Sequence, residues 1–162
     1  FLHIEVNHNL GVARFPVNEL PSPHEDDGAA APMWLSLLVG EKAVGKVRIA
    51  AKLSYVAGLE PQEDLVFDES QDTQHPNEVR VAVCRARDLH PAHSRAMSCD
   101  AYVSLRLNDP LSITHRTQTV LKTTHPVFNE IFAFEYHGEG HLELDVHDWH
   151  WTSDVICKTP RQ

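Results

Sequence analysis

The fold is decided by residues 77–156, which contain four alternating pieces: NEVRVAVCRARDL (77–89), SCDAYVSLRL (98–107), HRTQTVLKTTHPVFNEIFAFEY (115–136) and HLELDVHDWHWTSDVI (141–156). Each piece alternates apolar and polar residues and stops at a break rich in Pro, Gly, Asn or His. Such alternation is typical of β-strands that turn one face to a core and the other to water. The pieces recur at roughly ten-residue spacing, which predicts an antiparallel β-sandwich.

The same stretch resembles the C2 domain family. Its blocks stand in the family's order: ARDL (86–89), SCDAYV (98–103), RTQT (116–119), HPVFNE (125–130) with FAF (132–134), and LELDVHD (142–148). The resemblance implies an all-β fold, an antiparallel eight-stranded C2-type (Greek-key) β-sandwich. Four aromatic residues are predicted to lie in its core: Trp34, Phe128, Phe132 and Phe134.

Residues 1–57 form a second series of alternating pieces, with a short turn predicted at residues 7–9 (NHN). They resemble the last strands of a C2 domain followed by the first strand of the next, whereas residues 77–157 resemble the core C2 strands. Two organisations stay open. The chain either spans the tail of one domain and most of the next, or residues 1–57 complete one composite sandwich with residues 77–157. Because open sheet edges are unfavourable, the halves are expected to pack together, in cis or by self-association of copies.

Residues 58–76, GLEPQEDLVFDESQDTQHP, separate the two series. The segment has six acidic residues and no basic one. Low hydrophobicity and high charge predict a flexible acidic linker. Its one apolar island, Leu65, Val66 and Phe67, is an alternative candidate for docking a partner protein.

Composition limits the functional classes. The net charge of −9 argues against nucleic-acid binding, which needs a basic footprint. It also argues against docking on anionic lipid by overall charge. No apolar run approaches the ~18 residues that span a bilayer. The three cysteines lack C-x-x-C spacing, which predicts a reduced, cytoplasmic compartment. Since the chain opens within an alternating pattern, we expect a fragment of a longer protein.

The resemblance implies a calcium site made of loop carboxylates at one end of the sandwich. Asp100 and Asp148 match two of the family's positions, and Asp154 matches a third if its loop is shortened. Ser94 and His150 stand where two further aspartates are expected. Because calcium takes six to eight oxygen ligands, we predict a vestigial site that is weak at best and no required cofactor.

Histidines and cysteines near the same loops raise a zinc alternative, but they lack the spacing of zinc sites. This set comprises His90, His93, Cys99, His147, His150 and Cys157.

Membrane contact is the family's common role, and two sets of residues could serve it. A loop-tip set, expected in the first and third loops, consists of Met97, Trp149 and Trp151. A basic patch on a sheet face consists of Arg106, Arg116 and Lys122. Interfacial tryptophan suits the headgroup region, whereas three bases opposed by acids contribute little attraction.

No nucleophile elbow or glycine-rich phosphate loop is present, so the sequence predicts no enzyme. We predict a non-catalytic, calcium-independent module for protein interaction or scaffolding. The alternative is peripheral attachment to anionic phospholipid through the loop tips. Degenerate C2 repeats resemble those of large centriolar and ciliary scaffold proteins, which implies a centrosomal or ciliary location by analogy.

Overall fold

The computed structural model describes residues 4–20, 30–55, 76–92, 95–108 and 112–152. Eight strands lie within these ranges: β1 (Ile4–Pro16), β2 (Met33–Val39), β3 (Lys42–Ser54), β4 (Glu78–Arg87), β5 (Ala101–Leu107), β6 (His115–Arg116), β7 (Val127–Glu135) and β8 (His141–Thr152). All strand pairs are antiparallel. This confirms the predicted all-β, eight-stranded antiparallel fold. None of the described segments is a helix long and apolar enough to cross a bilayer.

The strand order is β6-β5-β8-β1-β2-β3-β4-β7. A single register pair, Val12 with Leu38, joins β1 to β2. The strands on either side of this join form the two layers of the sandwich. We call β6-β5-β8-β1 the first sheet and β2-β3-β4-β7 the second sheet. Strands from residues 1–57 thus share both sheets with strands from residues 77–157. The division of a parent chain into domains stays a prediction.

The core lies between the two sheets and is built by the period-two alternation of the strands. Its largest fully buried side chains come from both layers: Leu37, Val47, Ile49, Val79, Val81, Val83, Val103, Leu105, Leu142, Leu144 and Val146. Phe128 and Phe134 are buried and Phe132 packs against the cluster, as predicted. Burial of each such side chain stabilises the fold by about 1.5–3 kcal/mol.

The core assignment of Trp34 is wrong. Its side chain lies on the outer face of the second sheet and is 36% exposed. The guanidinium carbons of Arg87 and Arg48 stand 4.4 and 6.0 Å from its ring centroid. The alternation of β2 explains the error, because Leu37 is buried and places Trp34, three residues earlier, on the opposite face.

The turn predicted at residues 7–9 is also wrong, because β1 runs through these residues. A register shift lies between Asn9 and Gly11 in the pairing with β8. The backbone N–H of Gly11 donates to the side-chain oxygen of Asn9 at 2.8 Å. The polar residues therefore mark a β-bulge inside a long strand rather than a reversal of the chain.

A second irregularity interrupts β4, where the register with β7 shifts between Val83 and Arg85. Before the shift Arg80 points outward and Val83 inward. After it, Ala86 is fully buried, so Arg85 and Arg87 are exposed. The bulge therefore adds two arginines to the outer face of the second sheet.

Candidate functional site

The loop end of the sandwich is organised by the carboxylate of Asp148, which lies near the end of β8 and is 0% exposed. Its Oδ1 accepts the backbone N–H of Asp100 at 2.9 Å, and its Oδ2 accepts that of Ala92 at 3.2 Å. Each carboxylate oxygen therefore already holds one backbone group of the β4–β5 connection. Charge-assisted hydrogen bonds of this kind are stronger than neutral ones.

Asp100 has a similar structural role. Its Oδ1 accepts the backbone N–H of Lys122 at 2.7 Å, which ties the β6–β7 connection to the same cluster. Its own carbonyl accepts the backbone N–H of Trp149 at 2.8 Å. The left-handed φ of Lys122, 55°, turns the chain at this point. The two carboxylates thus hold three segments of the loop end together.

The structure brings Asp100 and Asp148 side by side, as the sequence predicts for a calcium site. Asp154 lies outside the described residues. His150 Nε2 lies 3.3 Å from Asp148 Oδ2, where a further carboxylate would be needed for calcium. Within the described ranges no group of three or more His, Cys, Asp or Glu side chains could hold a metal ion. The weak calcium site stays a prediction.

Cys99 is buried beside the same cluster and donates from Sγ to the carbonyl of Thr123 at 3.2 Å. Burial, followed by the charges of Asp148 and Asp100, raises the pKa of its thiol to about 12. Metal ligation requires the thiolate. Because its side chain is buried and donates to the Thr123 carbonyl, Cys99 has a structural role at the loop end.

The predicted loop-tip residues fall in different environments. Met97 is 95% exposed in the β4–β5 connection, as expected for a tip. The sequence places Trp149 and Trp151 in a loop, but both lie in β8, paired with Asn7 and Glu5 of β1. The placement differs because β1 extends the sheet to the end of β8. Trp149 is half-buried.

The three residues of the predicted basic patch do not lie together. Arg106 and Arg116 are in the first sheet, whereas Lys122 is in the β6–β7 connection. Arg106 of β5 donates to Glu143 of β8, whose other oxygen accepts Nε of Arg14 at 2.7 Å. These two arginines lower the pKa of the Glu143 carboxyl. The charge of Arg106 is therefore balanced within the sheet, and Lys122 lies apart in its loop.

Arg116 of β6 takes part in an aromatic stack on the same face. Its guanidinium carbon lies 3.6 Å from the ring centroid of Tyr102 on β5. His147 on β8 also stacks on this ring, with the centroids 4.9 Å apart and an interplanar angle of 21°. Burial lowers the pKa of His147; Asp145 raises it and Arg116 lowers it further. The Nδ1 of His147 is buried, without a hydrogen-bond partner among the described residues.

The proposed docking trio Leu65, Val66 and Phe67 lies outside the described residues, as does most of the predicted acidic linker 58–76.

Sequence reasoning missed a group of cations on the outer face of the second sheet. Three of the cross-strand pairs between β3 and β4 join two cations: Lys46 with Arg87, Arg48 with Arg85, and Lys52 with Arg80. We call these six residues the cationic ladder. A strict period-two pattern hides them, because the bulge in β4 shifts the face on which Arg85 and Arg87 lie. The available signal was the basic residue spacing in KVRIAAK (46–52) on the preceding strand.

The chain matches the family model described as C2 domain over residues 77–159. It is similar to cytosolic phospholipase A2 delta of Mus musculus, 35% identical over 80 residues, and to protein kinase C, eye isozyme, of Drosophila melanogaster, 32% identical over 82 residues. Ras GTPase-activating protein 4 of Mus musculus is 33% identical over 84 residues. These alignments cover 48%, 48% and 52% of this chain but only 9%, 12% and 10% of the relatives. The chain thus spans about a tenth of their length.

Among solved structures, a C2 domain of RIM2 is similar, with a TM-score of 0.48 and 19% identity, covering 73% of this chain and 93% of that one. The resemblance stated from the sequence is confirmed by the family model, which covers just over half of the 162 residues. The chain belongs to the C2 domain family.

Proposed function

We propose that this chain is a non-catalytic interaction module that binds other proteins without calcium. The observation that carries this proposal is the use of Asp148. Both of its oxygens accept backbone N–H groups, and the carboxylate is withdrawn from solvent. Each oxygen of this buried carboxylate already holds one backbone N–H, so a calcium ion at this position would compete with hydrogen bonds that define the loop end. In this chain the acidic cluster supplies structure instead of a switch.

The surroundings of this carboxylate support the same conclusion. Calcium prefers several hard oxygen ligands, and an imidazole is a poor substitute. Here His150 stands beside Asp148, and Asp100 is engaged by the backbone of Lys122. Among the described residues, two carboxylates with a histidine neighbour give too few charges for calcium sensing. We therefore place the binding function on the sheet faces and not on the metal-binding loops.

Calorimetric titration with calcium tests whether the chain binds calcium. We expect no binding heat at micromolar calcium and no rise in unfolding temperature at millimolar calcium. Co-sedimentation with phosphatidylserine vesicles, with millimolar calcium and in parallel with chelator, tests whether calcium drives the chain onto lipid. Pelleting that requires calcium would contradict the proposal. A protein that stays in the supernatant in both conditions agrees with it.

A second candidate is attachment to anionic membranes through the loop end, and the exposure of Met97 favours it. Leu121, 59% exposed, lies in the β6–β7 connection that Lys122 ties to Asp100. Apolar tips beside a basic residue suit the membrane interface. Vesicle pelleting in chelator that falls on Met97→Asp with Leu121→Asp would support this candidate. The matched control is Ile113→Asp, since Ile113 is 65% exposed and lies between β5 and β6.

A further inference from the structure

The cationic ladder is an unfavourable arrangement for an isolated sheet. Residues directly opposite on antiparallel strands have Cβ atoms about 4.5–5.5 Å apart, so like charges there repel each other. Three of the register pairs between β3 and β4 join two cations: Lys46 with Arg87, Arg48 with Arg85, and Lys52 with Arg80. In a chain of net charge −9, this concentration of positive charge is local and specific to one face.

Within the described ranges, few acids compensate the ladder. Glu78 pairs with Arg80, and Asp88 lies 3.6 Å from Nε of Arg87. Among the described residues no carboxylate forms an ion pair with the other four cations, which are Lys46, Arg48, Lys52 and Arg85. The Nε of Arg48 is buried and lacks a hydrogen-bond acceptor in the same part of the chain. An anionic ligand on this face would supply acceptors to the exposed cations Lys46, Lys52 and Arg85.

The geometry of the ladder indicates the shape of that ligand. Strand residues rise by about 3.4 Å each, so successive outward positions are about 7 Å apart. Lys46 to Lys52 then spans roughly 20 Å along β3. Between the Arg48 and Arg85 pair and the Lys52 and Arg80 pair lies a pair of small residues, Ala50 opposite Ala82, so no long side chain separates these cations on the face. An extended peptide with an acid at every second residue has the same spacing.

We propose that the cationic ladder binds an extended acidic segment of a partner protein, lying along the outer face of β3 and β4. This proposal rests on the proposed protein-interaction function and names the chemistry of the partner. Exposed side chains on the flanking strands add apolar contact: Ile131 of β7, 74% exposed, and Trp34 of β2. Surface charges more than about 10 Å away are screened at physiological salt, so a ligand on this face interacts mainly with the cations of the ladder and their immediate neighbours.

A peptide fits this face better than a membrane does. Beyond the Lys52 and Arg80 pair the same face carries Glu78 opposite Glu135 of β7. A broad anionic surface would meet the exposed carboxylate of Glu135, whereas a ligand one strand wide can end before it. Sheet twist also turns neighbouring strands by about 20–25°, which brings only a narrow line of the face against a flat bilayer.

Fluorescence anisotropy with a labelled peptide Glu-Ser-Glu-Ser-Glu-Ser-Glu, in chelator, tests the proposal on the full chain. We expect saturable binding that weakens as salt is raised and is absent for the matched peptide with Gln in place of Glu. The double variant Lys46→Glu with Arg85→Glu should bind at least about tenfold more weakly, a loss of ~1.4 kcal/mol. The control is Arg95→Glu with Lys122→Glu, which changes the net charge equally but lies in loops; it should bind like the wild type.

Folding of the double variant is read from its unfolding temperature. Each reversal converts a repulsive cross-strand pair into an attractive one, so the temperature should stay level or rise while binding falls. Absence of peptide binding by the wild type at low salt would overturn the acidic-segment proposal. An equal loss of peptide binding in both double variants would also overturn it. So would vesicle pelleting in chelator that requires the ladder while the peptide does not bind. These results concern the ladder alone. Calcium-dependent binding would contradict the proposed function instead.

Discussion

The carboxylate of Asp148 accepts the backbone N–H of Asp100 at 2.9 Å, which fastens the start of β5 to the end of β8. Its other oxygen accepts the N–H of Ala92. Asp148→Ala would leave both donors without their acceptor. We expect a loss of about 2 kcal/mol in the free energy of unfolding, measured by urea denaturation. Asp148→Asn retains one acceptor oxygen and should lose less.

The matched control for Asp148 is Glu135→Ala on an exposed edge-strand position, which should change stability by less than about 0.5 kcal/mol. If Asp148→Ala were as stable as this control, the carboxylate would not hold the loops. There would then be no physical reason for Asp148 to be unavailable to calcium.

Glu143 links the two arginines on the outer face of the first sheet. Its side chain is 10% exposed and accepts from Arg14 and Arg106. Glu143→Gln should lower the free energy of unfolding by about 1–2 kcal/mol near pH 7. Because the pKa of Glu143 is lowered from its ordinary 4.5 in the folded chain, the ionised form stabilises the fold above about that pH. The contribution is lost as pH falls through the lowered pKa, so the two proteins should converge in acid.

Denaturation curves between pH 3 and pH 7 would measure this convergence, and Glu135→Gln supplies a control carboxyl on an exposed edge. A gap between wild type and Glu143→Gln that stays constant with pH would show that the carboxylate charge does not matter. The packing of the side chain alone would then account for the effect.

Like Glu143, His147 should make the fold less stable as pH falls, but in a higher pH range. Burial lowers its pKa below the ordinary 6.5, so the unfolded chain binds a proton more readily than the folded one. Stability is therefore fully present above about pH 6.5 and declines as pH falls toward the lowered pKa. His147→Phe keeps an aromatic ring on Tyr102 and removes the buried Nδ1. We expect the unfolding temperature of this variant to change less with pH between 5 and 7 than that of the wild type. His137→Phe, at an exposed position, is the control; a variant with unchanged pH sensitivity would contradict the assignment.

Cys99 should resist alkylation in the folded protein. Its pKa of about 12 leaves almost no thiolate at pH 8, and its side chain is buried. Iodoacetamide treatment followed by peptide mass mapping should label the half-buried Cys84 well before Cys99. Labelling of both cysteines at equal rates in native buffer would show that the loop end opens readily.

Local alternation predicted the strands that build the core, because burial of Val103, Leu105 and Leu144 follows period two. The resemblance to the C2 domain family, and not the alternation, identified Asp100 and Asp148, because they match two positions of the family's pattern. Alternation could not locate features that depend on pairing between distant segments. The pairing of β1 with β8 moved Trp149 from a loop into a strand, and the bulge in β4 created the cationic ladder. Both result from contacts that no single stretch of sequence contains.

The bulge in β1 depends on Gly11, whose φ of 148° favours glycine. A Cβ atom added there would lie 2.9 Å from Cγ2 of Val44 and 3.0 Å from Cβ of Leu37. Leu37 is fully buried in the core, so it has little room to move. Gly11→Ala should therefore lower the free energy of unfolding by about 1–3 kcal/mol, from overpacking and backbone strain together. Gly40→Ala separates the two causes, because Gly40 also has a positive φ, 60°, but no atom within 4 Å of an added Cβ. A Gly11→Ala loss no larger than that of Gly40→Ala would show that the join between the two sheets tolerates a side chain.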